Sequence, residues 1–349
     1  MRGAIHQRGF REGPAFVHPL TVAAARGGAW RLPPVWLYRE VVPHSPLALA
    51  ALASAAVPGL DVYDVLRSPH ADVDFDVVIV VDSTGKRWTV RAPRRAAAGA
   101  ALEAELGLLA HLAREHDSGA LAFAVPRPAG TAALPEGGRV VVYEEIRGTR
   151  LNLAALEPGP GLAASIGHAI AQIHELRPDI IEDEGLPTYT PEAYRQRRLA
   201  ELDAAAQTGK VPPALTGRWE ERLENVSWWR YEPTPVHGSL GEHQVIVADG
   251  AVAGIVGWAE ARIADPADDL AWLIASATPE AADSVIEAYS VGRRELRDPH
   301  LVDRARLAAE LALARWLMHG VRTEEPEIVD DAQDMLDDLL ALLTEAGEL

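Results

Sequence analysis

The most informative part of the sequence is a pair of segments in its second half. Residues 236–247 read VHGSLGEHQVIV, and residues 252–266 read VAGIVGWAEARIADP. The apolar runs 245–247 and 252–258 predict two short strands, and Asp249-Gly250 between them favours the tight turn of a hairpin. The pair His237-Gly238 is by itself an ordinary turn. The ordered set of residues across both segments therefore carries more information than any single dipeptide in them.

Helix-forming sequence surrounds this hairpin. Apolar residues at helical spacing predict helices at about 161–176, 191–208, 213–226, 270–275, 280–289 and 301–319, and a last helix from 329 to the C-terminus. From Gly148 onward the chain is therefore predicted to form a mainly helical lobe, residues 148–349. No internal repeat with a period of about 20 to 50 residues is present, which argues against solenoids and propellers.

The first half has a different pattern. Alternating apolar and polar residues from Asp72 to Arg91 predict a β-hairpin, the Ala- and Leu-rich run 96–116 predicts a helix, and residues 139–146 predict a further strand after a Pro-Glu-Gly-Gly turn. The stretch 47–57 predicts a helix that stops at Pro58-Gly59. Strands combined with helices predict a small α+β lobe over residues 46–147.

Residues 1–45 differ from the rest of the chain. They contain six Arg and two Glu, with Trp30, Trp36 and Tyr38 close to a pair of prolines. They lack the compact apolar core of a secretory signal, although an Arg-rich start resembles a transit peptide. We interpret them as an N-terminal extension, either a loosely ordered docking arm for a protein partner or the product of a start codon placed too early.

Composition narrows the function classes. The formal net charge of −18 disfavours nucleic acid and anionic membranes and favours a cationic small-molecule ligand, although it also serves solubility. No run of apolar residues is long enough to span a membrane. Cysteine is absent, which excludes disulfides, thiolate metal sites and a cysteine nucleophile, and suits the cytoplasm.

The two opening segments resemble the aminoglycoside and macrolide phosphotransferase family. Its members carry H-G-D-L-x-x-x-(N or H)-V-L-V, a turn, and I-D-W-x-x-A-x-x-x-D-P; the His, Gly, Leu, strand, Trp, Ala and Asp-Pro all match in order and spacing. Residues 173–176 (IHEL) and Arg315-Trp316 match flanking helices, and residues 88–94 (WTVRAPR) are similar to the macrolide branch. The resemblance covers roughly residues 45–345 and implies a bilobal protein-kinase-like fold, with a small β-rich N-lobe and a larger, mainly helical C-lobe.

The resemblance also implies a nucleotide site, for ATP or GTP, between the lobes. Arg91 stands where the third strand of the small lobe offers a cation to the phosphates, with Glu103 or Glu105 as its ion-pair partner. Arginine replaces the family's lysine, which is not a neutral exchange, and a solvated strand-end arginine is the alternative. Glu144 to Ile146 match the hinge, whose backbone pairs with the purine edge.

The catalytic positions depart from the family. The carboxylate that accepts the substrate's hydroxyl proton is replaced by Ser239, which is too weakly basic to act as that base. The metal-binding carboxylate is replaced by Gly257, and Gln244 stands at the family's Asn or His. A neutral amide alone is a poor magnesium site, so Mg²⁺ lacks its expected ligands. His237 is expected to be structural rather than an acid or base.

Other carboxylates lie close by in the sequence. Glu242 in the loop, Glu260 three residues beyond Gly257, and Asp265 are the candidate substitutes. Asp265, with Asp268 and Asp269, is also typical of residues that cap the start of a helix. The sequence contains no dinucleotide-binding, Walker or zinc-protease motif.

The sequence therefore predicts a phosphotransferase-like protein that is catalytically impaired and binds a nucleotide or another small molecule. Two alternatives stay open. One is an active ATP- or GTP-dependent O-phosphotransferase, a kinase of an antibiotic or sugar-like alcohol that uses a displaced carboxylate. The other is a protein-interaction scaffold that works through its N-terminal extension.

Overall fold

The computed structural model describes residues 44–67, 75–135, 137–294 and 298–349. The predicted N-terminal extension therefore lies outside the described residues apart from its last two, as do the partner surface assigned to it and the beginning of the predicted hairpin at 72–74. None of the described helices combines the length and apolar composition needed to cross a membrane.

The small lobe consists of a sheet and two helices. Its elements are α1 (Pro46–Ala56), β1 (Val62–Arg67), β2 (Phe75–Asp82), β3 (Arg87–Pro93), α2 (Ala96–Ser118), β4 (Pro128–Ala133) and β5 (Arg139–Glu144). The strands form an antiparallel five-stranded sheet in the order β1-β2-β3-β5-β4. The predicted hairpin and the helices at 47–57 and 96–116 are confirmed. The edge strands β1 and β4 were not predicted, because only their partner strands carry a strong apolar run.

The large lobe is mainly helical, as predicted. Its elements are β6 (Thr149–Arg150), α3 (Leu162–His174), α4 (Asp179–Glu182), α5 (Pro191–Ala206), α6 (Pro213–Glu224), β7 (Thr234–Val236), β8 (Val245–Ala248), β9 (Ala251–Ile255), β10 (Arg262–Ala264), α7 (Ala271–Ser276), α8 (Pro279–Gly292), α9 (Leu301–Thr323) and α10 (Pro326–Glu345). β6, β8 and β9 form one small antiparallel sheet, and β7 pairs with β10.

Local chemistry sets several element boundaries. Ser45, Thr190 and Thr278 each accept a backbone N–H at a helix start, and a proline follows each of them at the first helical position. The strand predicted to reach Trp258 ends at Ile255, because Gly257 adopts φ 85° and turns the chain. The predicted hairpin turn between β8 and β9 is confirmed, with Asp249 at φ 51° and Gly250 at φ 75°.

The two lobes share one apolar core. A single cluster of buried residues contains Leu108 and Leu112 of α2, Phe123, and Ile166 and Ile170 of α3. The segment after α2 also joins the large lobe through its backbone. The Ala124 N–H donates to the Ala253 carbonyl at 2.9 Å, and its carbonyl accepts from the Ile255 N–H at 2.9 Å. The boundary at Gly148 thus marks a change in secondary structure, and apolar packing continues across it.

Candidate functional site

A single carboxylate holds the backbone of the loop that follows β7. Asp269 is completely buried, and its two oxygens accept the N–H of His237 at 2.7 Å and the N–H of Gly238 at 2.8 Å. Burial acts to raise the pKa of Asp269, but its hydrogen bonds, above all with His174, lower it overall. The carboxylate therefore stays ionised, and residues 237–244, called the catalytic loop below, begin in a fixed position.

His237 is part of this framework. Its side chain is buried, its Nε2 lies 3.1 Å from the Val256 carbonyl, and its ring packs against Trp258 at 4.7 Å between centroids. Burial lowers the pKa of His237, so the ring is neutral and Nε2 is the donor. The Nδ1 atom has no hydrogen-bond partner among the described residues. These contacts join the loop to β9 and to the turn at Gly257.

Two of the three positions predicted to carry the chemistry, Gln244 and Gly257, lie next to each other. An ideal Cβ on Gly257 lies 3.3 Å from the Gln244 Cγ, and the Val256 N–H donates to the Gln244 carbonyl at 3.0 Å. Ser239 directly follows Gly238, which has φ 83°. The structure thus brings the predicted metal positions Gln244 and Gly257 together, and neither supplies an anionic oxygen.

A guanidinium that the sequence analysis did not identify lies beside Ser239. Arg262 donates to the Gly238 carbonyl at 3.2 Å, to the Glu260 carbonyl at 2.8 Å and to the Asp268 carboxylate at 2.7 Å. The sequence gave no signal for Arg262, because it stands at an unspecified position of the motif, between Ala261 and Asp265. The side of the loop that adjoins Ser239 is therefore bordered by a cation.

Each of the three candidate substitute carboxylates is either paired with another group or exposed to solvent. Glu242 accepts the Leu153 N–H at 3.2 Å, which directs it to the segment after β6. Asp265 receives the Arg304 guanidinium at 2.7 and 2.9 Å and caps the turn at Ala267. Glu260 is the most exposed of the three, with 61% of its side chain accessible, and lies 3.8 Å from Arg262.

The predicted capping role is correct for Asp265 and wrong for its neighbours. Asp268 lies 2.9 Å from Arg198 and 2.7 Å from Arg262, and it accepts from the Tyr194 hydroxyl. Burial acts to raise the pKa of Asp268, but Arg198 and Arg262 lower it strongly overall. Asp269 binds the catalytic loop instead of a helix end. Most of these partners lie more than 30 residues away in the chain, so sequence patterns do not reveal the pairs.

The small-lobe side of the predicted nucleotide site, called the small-lobe wall below, carries a close ion pair. Arg91 on β3 donates to Glu105 on α2 at 3.0 Å, and the Glu105 side chain is 2% exposed. The Arg91 guanidinium also lies over the Phe75 ring at 4.2 Å. Glu103, the other candidate partner, lies 2.7 Å from Arg139 in an exposed pair. Of the two predicted partners, Glu105 therefore contacts Arg91.

In the hinge segment, residues 144–146, one side chain packs against the large lobe. Glu144 is exposed and lies 2.8 Å from Lys86, and the Glu145 N–H donates to the Arg87 carbonyl at 3.1 Å. Ile146 packs against Gly254, where an ideal Cβ would lie 2.7 Å from an Ile146 methyl. In the described part of the chain, no backbone group accepts the Ile146 N–H.

Comparisons with known proteins agree with this architecture. The model of the phosphotransferase enzyme family, APH, matches residues 65–303. The uncharacterised protein YcbJ of Bacillus subtilis (strain 168) is 24% identical over 210 residues, which are 56% of this chain and 65% of YcbJ. The chain thus spans about 65% of the length of that curated relative.

Two solved structures share the fold across nearly their whole length. The macrolide 2′-phosphotransferase MphH from Brachybacterium faecium, an apoenzyme, has a TM-score of 0.70 at 23% identity and covers 84% of this chain and 98% of its own. The GDP complex of wild-type aminoglycoside 2′-phosphotransferase-IIIa has a TM-score of 0.71 at 16% identity, with coverages of 84% and 98%. These likenesses identify the fold.

Proposed function

Because the chain belongs to the phosphotransferase enzyme family, we propose that it keeps a ligand cleft between its lobes and lacks magnesium-dependent phosphoryl transfer. One observation carries this proposal. The catalytic loop is held in place by Asp269, whereas Ser239 and Gly257, where the family resemblance expects carboxylates, supply none. The loop that would present the catalytic groups is held in place, but the two carboxylates are missing from it.

The residues present do not fit a magnesium ion. Hard cations such as Mg²⁺ prefer anionic oxygens, and phosphoryl transfer depends on the metal to neutralise the developing charge. Gln244 offers only a neutral amide and Gly257 offers no side chain. Among the residues that the structure describes, no group of three or more His, Asp or Glu is arranged to hold a metal. We therefore assign no step to a metal in this chain.

The acceptor side lacks a general base for the same reason. A base must lie within hydrogen-bond reach of the hydroxyl and have a pKa near the working pH. The pKa of the Ser239 hydroxyl is far above the working pH. Arg262, which contacts the neighbouring Gly238, is a cation already paired with Asp268. A hydroxyl placed at Ser239 would keep its proton.

Ligand binding is supported by the opposite wall. The Arg91 guanidinium, held by Glu105, provides a cation on β3, and the Ile146 N–H provides a donor in the hinge. These groups are suited to a nucleotide such as ATP or GTP, and several structural neighbours were solved as complexes with GDP or ADP. For the second ligand we propose a small molecule, and the net charge of −18 favours a cationic one.

One observation favours the active-transferase alternative. Glu260 is accessible and lies three residues beyond Gly257, so a substrate that approaches from that side would meet a carboxylate. Its position beyond the turn, outside the pair formed by Gln244 and Gly257, makes it the weaker candidate. Glu260→Gln distinguishes the two functions, because only the active enzyme loses activity on this change.

Restoring both carboxylates tests the proposal. The parent protein is expected to transfer no phosphate to macrolides or aminoglycosides in mass spectrometry with GTP or ATP and Mg²⁺, and its melting temperature is expected not to respond to Mg²⁺ beyond nucleotide alone. Ser239→Asp with Gly257→Asp is expected to gain several degrees from Mg²⁺-nucleotide, because the metal then binds the native state. The φ of 85° at Gly257 adds a cost of about 1 kcal/mol, modest because Asp tolerates this region.

A charge-matched variant controls for strain and added charge. Ser45→Asp with Gly209→Asp places one carboxylate at an exposed helix cap and one at an open glycine with φ 68°, both outside the proposed site. This control is expected to show no response to Mg²⁺-nucleotide. A phosphorylated product from the parent protein would overturn the proposal, as would equal magnesium responses of both double variants.

A further inference from the structure

Helix α2 belongs to the small lobe but is held from two opposite sides. On one side Glu105 meets Arg91 of β3. Residue 107 lies two positions further along, a rotation of about 200° around the helix axis, and therefore faces the other way. On that opposite side α2 meets α4 of the large lobe and the turn that follows it. The position of α2 thus depends on a contact in each lobe.

The carboxylate of Glu184 lies directly on the backbone of α2 at Gly107. An ideal Cβ on Gly107 would lie 1.7 Å from the Glu184 Oε2 and 2.4 Å from its Cδ, so only glycine leaves room for this carboxylate. One turn later in α2, the His111 Nε2 lies 3.1 Å from the Glu184 Oε1. Both side chains are largely covered, with 24% of Glu184 and 21% of His111 exposed. Glu184 therefore occupies a seat formed by Gly107 and His111, called the α2 seat below.

Gly107 is an unfavourable residue for the middle of a helix. Glycine weakens a helix interior relative to alanine, and most other residues of α2 are Ala, Leu and Glu. Gly99, near the start of α2, differs from Gly107 because the nearest atom to a Cβ there would be a Pro93 side-chain carbon at 3.7 Å, an ordinary contact. The glycine in the middle of α2 is explained by the carboxylate that its missing side chain admits.

The large lobe presents Glu184 from a fixed turn. The apolar side chains of α4, Ile180 and Ile181, are buried in the core that both lobes share. The Gly185 N–H donates to the Glu182 carbonyl at 3.0 Å, which closes the turn. Glu182 is exposed, whereas Glu184 is directed toward α2. The turn therefore has a defined position in the large lobe and carries a carboxylate that contacts the small one.

The α2 seat fixes what apolar packing leaves adjustable. The contacts of Leu108 and Leu112 with the shared core are non-directional, so they resist separation of α2 from the large lobe more than a small rotation or shift of the helix. The α2 seat resists rotation and shift as well, because the carboxylate fits only over Gly107. A helix held in this way keeps Glu105 in one place relative to Arg91.

We propose that Glu184 is a positioning residue of the nucleotide site, which fixes α2 so that Glu105 holds Arg91 before a ligand binds. The cation on the phosphate side is then preformed, and the ligand does not have to organise it. This role rests on the proposed function, because Arg91 is the cation assigned there to the nucleotide, and it adds a residue of the large lobe to the small-lobe wall.

A double-mutant cycle tests the positioning without any ligand. Substitutions at separate sites normally have additive effects, and they couple when they act through a shared backbone shift. The fall in the urea midpoint caused by Glu105→Gln is expected to be at least halved in a Glu184→Gln background and unchanged in a Glu182→Gln background. Glu182→Gln is the matched control, because it makes the same charge change on an exposed side chain of α4. Additive effects of Glu105→Gln and Glu184→Gln overturn the proposal.

Nucleotide binding separates positioning from stability. GDP is titrated calorimetrically into the full chain without Mg²⁺, and Glu184→Gln is expected to weaken binding at least threefold, while Glu182→Gln leaves affinity unchanged. Gly107→Ala places a methyl where the carboxylate lies and is expected to weaken GDP equally, whereas Gly99→Ala is expected to have no effect on affinity. Adding Glu184→Ala to Gly107→Ala removes the overlap, so the melting temperature is expected to rise above that of Gly107→Ala while the affinity stays low.

The outcomes distinguish the role of Glu184 from the proposed function. Affinity that is unchanged in Glu184→Gln, or that recovers together with the melting temperature in the Gly107 and Glu184 double variant, overturns the positioning role. A parent protein that binds no GDP counts against the nucleotide site of the proposed function, and the double-mutant cycle then decides the positioning of α2 by itself.

Discussion

The two walls of the predicted site differ in how their ionisable groups are held. On the small-lobe wall, Arg91 and Glu105 form a close pair whose carboxylate is 2% exposed. On the large-lobe wall, formed by the catalytic loop and the turn at Gly257, the residues Ser239, Gln244 and Gly257 are neutral, and Arg262 contacts the Gly238 carbonyl. The comparison teaches that the ion pair on one side and the backbone support on the other do not depend on carboxylates at positions 239 and 257.

The difference has a physical basis in what each carboxylate holds. Glu105 neutralises the partly buried Arg91 guanidinium, and Asp269 accepts two backbone amides in a buried place, so the fold depends on both carboxylates. Carboxylates at 239 and 257 would hold a metal and a substrate rather than any part of the chain. A loop in which Asp269 fixes the backbone therefore tolerates Ser239 and Gly257 without structural cost.

The largest effect is expected from Asp269→Ala. This change leaves the amides of His237 and Gly238 and the ring of His174 without their acceptor in a fully buried place. We expect the free energy of unfolding in urea to fall by at least about 3 kcal/mol. Glu260→Ala, which removes an exposed carboxylate from the same wall, is expected to change it by less than about 0.5 kcal/mol. Equal losses in the two variants would refute the distinction between framework and exposed acids.

A smaller effect is expected on the small-lobe wall. Glu105→Gln removes the charge that faces Arg91, and we expect unfolding measurements to show a loss of about 2 kcal/mol. Glu103→Gln is the matched control on the same helix, since its pair with Arg139 is about half exposed, and a loss below about 0.5 kcal/mol is expected. If the two substitutions cost the same, the Arg91 pair is not the one that supports this wall.

The smallest effect concerns pH and the two histidines behind the large-lobe wall. Burial lowers the pKa of His174 and of His237, so both are neutral when folded and gain a proton more readily when unfolded. Their contribution to stability is therefore present above the unfolded pKa of about 6.5 and is lost as the pH falls below it. Urea unfolding is expected to show a loss of about 1 kcal/mol for each histidine between pH 7.5 and 5.5.

Substitution of either histidine sharpens this measurement. His174→Asn and His237→Asn are each expected to lower stability at every pH and to reduce the dependence on pH across the same interval. A pH dependence that is undiminished in both variants would place the titrating group elsewhere, outside the framework that supports the catalytic loop.

Much of the fold could be predicted from the sequence, because its strong signals are local. The hairpin of β2 and β3, the Asp249-Gly250 turn and most helices follow from apolar periodicity and turn chemistry. The edge strands β1 and β4 could not, since an edge strand with exposed residues has no continuous apolar run. The proximity of Gln244 and Gly257 followed from the motif, because both flank one short hairpin.

The remaining parts of the site depend on distant contacts. Asp269 lies more than 30 residues from the amides it accepts, and Arg262 contacts a carbonyl 24 residues earlier in the chain. The choice between Glu103 and Glu105 depended on which face of α2 meets β3. Periodicity left that choice open, because α2 has apolar residues on more than one side. Buried polar networks of this kind become visible only when the chain is folded.

The backbone link at Ala124 has a consequence for how the protein unfolds. Because this residue pairs with β9 from a segment that follows α2, complete unfolding of the small lobe breaks two backbone hydrogen bonds to the large lobe. A fragment that ends at residue 147 would retain Ala124 but lose the strand it pairs with, and it would expose Phe123 to water. The chain is therefore expected to unfold as one cooperative unit. Neither lobe is expected to fold when it is expressed without the other.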